Sequence, residues 1–282
     1  NTPKMPIGVS SAWTRIPLPE MPWSSPSMYI NTLYALHTKV YVEDHLIFES
    51  NRGYIKDNYS LFFPLSTKDQ EKFLYIWTET LQDRIGIKNT VIIGEHDSLI
   101  HDYIKNGLID IILGSAFLFV ALILFVCSFF LSKEHFTISS GLAVVIASTG
   151  VLSITYSPFI YTFYSYLGPI SIMFLDFALL ALLPSLTFLF EKIFGPGKFF
   201  IIRRFRKFQV LYSVFCLICM FINLLSGNQY VELYYFVSTR IIGFIMIFQF
   251  ILLISCVIIF SVRRNKDAII FAIGFGTAAL TG

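Results

Sequence analysis

Hydrophobic and polar positions follow two different rhythms along this chain, and the change falls near residue 106. Before it, apolar residues alternate with polar ones in short stretches. After it come apolar runs of about 20 residues with at most one charge in each complete run, the length of helix needed to cross a hydrocarbon core of ~30 Å. The segments that alternate or run apolar are Ala12 to Leu18, Ser27 to Leu33, Lys39 to Glu43, Leu46 to Glu49, Leu61 to Leu65, Lys72 to Thr78 and Thr90 to Ile93. All are rich in β-branched and aromatic residues, which predicts strands. So many short strands separated by turn signals read as a β-sandwich over 1–94. Asp44-His45 is expected to turn one strand into the next.

The apolar runs predict spans near 107–131, 137–156, 167–190, 209–225 and 235–262, with 268–282 beginning another. The predicted fold is an all-β outer domain followed by an α-helical transmembrane bundle of five complete spans and part of a sixth. Residues 95–106 join the two. There Leu99, Ile100, Tyr103 and Leu108 recur at helical spacing, so an amphipathic helix leads into the first span almost without a linker.

Composition agrees with that division: 55% hydrophobic and 14% charged lies on the membrane side of globular values. The net charge of +3 is no sign of nucleic-acid binding, because the cations cluster beside the spans. Lys133, then Lys192, Lys198, Arg203, Arg204, Arg206 and Lys207, then Arg263, Arg264 and Lys266 fall in alternate loops. The other loops carry aromatics such as Tyr156, Tyr161, Tyr230 and Tyr234. The positive-inside rule therefore puts the basic loops in the cytoplasm and the β domain outside, a multi-pass arrangement in the plasma membrane. Arg203, Arg204, Arg206 and Lys207, interleaved with Phe199, Phe200 and Phe205, are the candidate inner-leaflet anchor, suited to an amphipathic stretch along the lipid surface. Asn1 is not an initiator and Gly282 lies inside an apolar run, so we expect residues to be missing at both ends.

Few side chains suggest chemistry. No phosphate loop, nucleophile elbow or metalloprotease helix occurs, so no enzyme activity is expected of this chain. His96 and His101 miss the spacing of two ligands on one helix face, and no metal or other cofactor is expected. Cys216 and Cys219 lie one turn apart in an apolar run, where thiols serve packing. Asn58-Tyr59-Ser60 matches a glycosylation acceptor, a pattern frequent by chance.

Two places stand out. In the strand Phe73 to Trp77, period two puts Phe73, Tyr75 and Trp77 on one face and Leu74 and Ile76 on the other. The aromatic face is either a second packed face or a platform for a ligand such as a sugar. Trp13 is expected in the core. At membrane depth, where charges are costly, Asp176 and Arg240 lie within about 6 Å in depth and are the candidate intramembrane switch pair. The other reading has Arg240 reaching outward and Asp176 neutral in a polar crevice. Pro184 should loosen its span, and small residues at Ala143 and Ala147 and at Gly274, Ala278 and Gly282 should mark close helix contacts.

The Trp13-Thr14-Arg15 strand, the Val40-Tyr41-Val42 hairpin and the passage from Ile93-Gly94-Glu95 through a short helix into Leu108-Ile109-Asp110-Ile111-Ile112-Leu113-Gly114 resemble the bacterial seven-transmembrane receptors with diverse intracellular signalling modules. The resemblance covers nearly the whole chain. It implies a jelly-roll outer domain similar to galactose-binding domains that senses carbohydrates or related small molecules. It also implies signal transduction across the bilayer to a fused cytoplasmic output domain, a histidine kinase or diguanylate cyclase that this chain lacks, and a homodimer. A transporter or channel with an outer accessory domain is the alternative, for which inverted repeats and broken spans would be the sign. No internal repeat is visible.

Overall fold

The computed structural model describes residues 9–51, 58–80, 84–88, 90–157, 168–227 and 229–262. The chain divides into two compact units, Asn1–Ile112 with Ile154–Met173, and Leu113–Ser153 with Phe174–Gly282.

The first unit is built on strands β1 (Ser11–Pro17), β2 (Pro26–Tyr34), β3 (His37–Val42), β4 (His45–Asn51), β5 (Asn58–Pro64), β6 (Phe73–Glu79), β7 (Gly86–Ile87) and β8 (Val91–Glu95). One antiparallel sheet has the order β1-β6-β3-β4. In the other, β2 is central, with β5 on one side and β7 and β8 pairing with successive parts of it on the other. Inward side chains of both sheets meet in one apolar cluster that includes Met28, Ile30, Leu33, Val40, Leu61, Leu74 and Ile76. Burying each such side chain contributes roughly 1.5–3 kcal/mol, which is why the alternation decides which face turns inward. The β3–β4 turn is one residue earlier than expected. Val42 pairs with His45 around Glu43 and Asp44, and Glu43 takes a left-handed φ of 50°. Its carboxylate accepts from the Phe73 amide at 3.0 Å, tying the turn to β6.

β8 passes directly into α1 (His96–Ser128), which is one uninterrupted helix in place of a linking helix followed by a span. Its first turns are held within the β unit. The His96 amide donates to the Ser25 carbonyl at 2.9 Å, His96 Nδ1 lies 2.8 Å from Ser27 Oγ, and the Tyr103 ring meets Tyr29 edge-on at 5.1 Å. Burial lifts the Tyr29 phenol above its ordinary pKa.

The remaining helices are α2 (Lys133–Tyr156), α3 (Gly168–Phe194), α4 (Ile201–Leu225), α5 (Val231–Tyr235) and α6 (Ile242–Val262), with a π-helical turn at Phe236–Ile241 joining the last two. Among the described residues, five helices are long and apolar enough to cross a membrane: His96–Ser128, His135–Tyr156, Ser171–Phe194, Ile201–Leu225 and Glu232–Ile259. Only 17–28% of the most apolar window of each is buried, so most of their hydrophobic surface faces outward and is stable only against lipid. The chain is a multi-pass membrane protein. The predicted run 268–282, with Gly274, Ala278 and Gly282, lies outside the described residues.

The fourth helix begins eight residues before the expected 209. Its basic first turns continue the span instead of forming a separate surface segment, because Ile202 and Gln209 are buried on the same helix. In the helical unit Leu180, Leu183, Cys216, Val237, Ile242 and Ile245 form one core cluster, and Phe190, Phe194, Leu253 and Val257 another. Cys216 is thus packed, and it is a free thiol. Ala143 is buried as expected, yet the closest approach is at Gly150, where a Cβ would stand 2.7 Å from the Gly114 carbonyl oxygen.

Candidate functional site

The outer face of the β1-β6-β3-β4 sheet collects the candidate ligand residues. β6 alternates so that Leu74, Ile76 and Thr78 are buried and Phe73, Tyr75 and Trp77 are half-buried on the opposite face. Strand register then sets their neighbours: Trp13 and Lys39 stand directly opposite Trp77, Arg15 and Tyr41 opposite Tyr75. Directly opposed residues share a sheet face, so these side chains form one surface. Trp13, expected in the core, is 61% exposed, because β1 turns Ala12, Thr14 and Ile16 inward and Trp13 and Arg15 outward.

Trp13 reaches the Tyr41 ring, centroid to centroid 5.8 Å. The Arg15 guanidinium lies 3.6 Å from the Phe73 ring centroid and 5.9 Å from that of Tyr75. Lys39 Nζ is 5.9 Å from the Trp77 centroid, and His37 meets the same indole edge-on at 5.1 Å. Each is a favourable contact between a cation or ring edge and a π-face. At the margin Glu49 takes His37 Nε2 at 3.1 Å and Lys39 Nζ at 3.2 Å, and Glu79 lies 3.6 Å from His37 Nδ1. The hydrogen bond from His37, followed by the one from Lys39, holds the Glu49 carboxyl below its usual pKa. The surface is an aromatic floor with a polar margin. Such a floor can stack on the apolar face of a ring while its margin bonds hydroxyls. Trp13, Arg15, Tyr41 and Lys39 were not visible as members, since only strand pairing brings them to β6.

Within the helical unit, the Tyr234 phenol hydroxyl donates to Asp176 Oδ2. Tyr234, Val237, Ser238 and Ile242 turn to the core, whereas Arg240, six residues after Tyr234, is out of phase with that stripe and exposed. The polar interior continues at the Pro184 break. Proline has no N–H for the Leu180 carbonyl, and Ser213 Oγ from α4 donates to it at 2.9 Å. The Leu183 carbonyl accepts from Thr187 Oγ1 and from Gln249 Nε2, each at 3.1 Å, and Gln249 Oε1 accepts from Gln209 Nε2 at 2.9 Å. Tyr212 adds a 2.6 Å hydrogen bond to the Val237 carbonyl in the π-helical turn.

Of the candidate anchor residues, Arg203 and Arg206 have a protein partner. Arg203 Nε donates to Glu191 Oε1 at 2.7 Å, and Arg206 Nε lies 2.9 Å from Oε2 as an ion pair, off the line of a hydrogen bond. Arg204 and Lys207 are exposed.

Comparison with protein-family models, curated proteins and solved structures finds no match. Function has to be read from the chain's own geometry.

Proposed function

We propose that this chain is the sensing and membrane portion of a bacterial plasma-membrane receptor. In this reading the β unit is a jelly-roll sensor similar to galactose-binding domains, lying outside the cytoplasm. Its aromatic floor of Trp13, Tyr41, Phe73, Tyr75 and Trp77 binds a carbohydrate or a related small molecule. The helices relay binding to a fused cytoplasmic output domain, a histidine kinase or diguanylate cyclase, and the receptor works as a homodimer. One observation carries the relay: Glu95 ends β8 and His96 begins α1, with no residue between them. The Ser27–His96 and Tyr29–Tyr103 contacts tie β2 to the same helix, so a shift in β2 or β8 acts directly on α1.

All three tryptophans precede the first span, so indole fluorescence of the intact chain reports on the β unit alone. Titration with a panel of neutral and acidic saccharides is expected to produce a saturable change with at least one of them. Tyr75→Ala should abolish it without altering thermal unfolding. A response unchanged in Tyr75→Ala, or saccharide flux into proteoliposomes containing the chain, would overturn the receptor reading.

A further inference from the structure

From the last turn of α3 to the first turns of α4 the chain carries six cations, Lys192, Lys198, Arg203, Arg204, Arg206 and Lys207, against the single carboxylate of Glu191. Beside them Phe199 is 72% exposed and Phe200 is 53% exposed. Both have a left-handed backbone, φ 55° and 58°, which is costly for bulky aromatic residues. Two neighbouring rings held outward in a strained turn are poorly suited to water. Placed beside helices whose outward surface is apolar, they fit the acyl region of a bilayer.

The charges form two sets. Glu191 is buried and engages Arg203 and Arg206 through Nε, the inner nitrogen of each guanidinium. Arg203 nonetheless keeps 46% of its side chain exposed, and Arg204 and Lys207 are exposed as well. A guanidinium bound at Nε still presents its outer donors in a fork that matches two oxygens of a phosphate.

We propose that the α3–α4 turn together with the first turns of α4 binds the phosphates of anionic phospholipids. Arg203, Arg204 and Lys207 are the donors, Phe199 and Phe200 sit among the acyl chains, and Glu191 is an internal rival for Arg203 and Arg206. A nucleic acid would meet the same cations but has no counterpart for two exposed rings bordering an apolar belt. The rival sets the strength of the site: it cancels one charge and restrains two guanidinium groups, so lipid must compete with a fixed carboxylate.

The test uses the whole chain in bilayers of equimolar phosphatidylglycerol and phosphatidylcholine, with retained lipid counted by native mass spectrometry after detergent extraction. Wild type is expected to retain phosphatidylglycerol in preference to phosphatidylcholine. Arg204→Gln with Lys207→Gln should lower that preference about 25-fold at low ionic strength, and Glu191→Gln should raise it about fivefold, at about fivefold for each charge near an anionic surface. Equal retention of the two lipids by wild type, or an unchanged preference in the Arg204 and Lys207 variant, would sink the site. Displacement of the lipid by soluble glycerol phosphate at matched concentration would overturn the lipid assignment. No gain in a folded Glu191→Gln protein would overturn the rivalry. Arg204 and Lys207 make no contact with Glu191 among the described ion pairs, so their variant keeps the test decisive if Glu191→Gln does not fold.

Discussion

At the scale of single residues, neighbours on one sheet have opposite values for stability. Ile76 is fully buried between the sheets, and Ile76→Ala is expected to cost about 2–5 kcal/mol as lost transfer energy and a cavity. Trp13 is larger, yet mostly exposed, so Trp13→Ala should cost no more than about 1 kcal/mol while weakening any ligand response. Calorimetric unfolding of the two variants checks the order, and a larger loss for Trp13 would contradict the observed facing of β1. Glu49 adds a dependence on pH. Folding lowers its pKa through His37 and then Lys39, so its stabilising contribution is fully present above the ordinary glutamate value of ~4.3 and disappears as pH falls through the lower folded value. The group is exposed, so the effect is small and weakened by salt. Glu49→Gln should flatten that part of the acid unfolding curve, measured in low salt.

Between elements, hydrogen bonds answer for what each helix lacks. Pro184 leaves the Leu180 carbonyl without its helical donor, and Ser213 of α4 supplies one. Ser213→Ala should therefore destabilise the helical unit by about 1 kcal/mol, within the range found for hydrogen bonds between membrane helices. In a Pro184→Ala background the restored N–H satisfies the same carbonyl, and the loss from Ser213→Ala should largely vanish. A double-mutant cycle read by thermal unfolding in detergent measures this; strict additivity would show that Ser213 acts elsewhere. α1 and α2 add to the Ser139 Oγ bond to the Leu124 carbonyl, 3.5 Å, a close approach of bare backbone. Gly150→Leu should separate them, because the nearest atom to the new Cβ is the fixed Gly114 carbonyl oxygen.

For the whole molecule, the decisive property is which side of the bilayer each end of a helix occupies. In a background lacking Cys127, Cys216, Cys219 and Cys256, Lys68→Cys and Lys207→Cys place one thiol in the 3₁₀ turn before β6 and one on α4. An impermeant maleimide added to intact cells is expected to modify the first and spare the second. The reverse pattern would invert the topology and remove both the sensor and the inner-leaflet lipid site. Under the proposed receptor function, two glycines inserted after Glu95 in a protein carrying the output domain should leave saccharide binding intact and abolish its effect on output, since β8 and α1 would no longer be continuous.

Much of this was legible from periodicity. Period two located the strands from Ala12 to Ile93, because solvent lies on one side of each sheet and the core on the other. Long apolar runs located the spans, because a backbone in lipid must close its own hydrogen bonds. The Tyr234–Asp176 hydrogen bond was not legible, since depth along a span does not say which residues helical phase turns inward. The partners of Phe73, Tyr75 and Trp77 were equally hidden. Trp13 and Lys39 flank Trp77 only through the register of β1 and β3 on β6, and register is a contact between distant segments.

The linear chain by itself determined which segments are strands, which helices require lipid, and where the basic charges lie, because these depend on local periodicity and on solvation. Tertiary structure alone decided who meets whom: Trp13 outside the core, Glu191 between two arginines, Ser213 at the Pro184 break. Those pairings join residues remote in sequence, and the energies that select them exist only once the surfaces have come together.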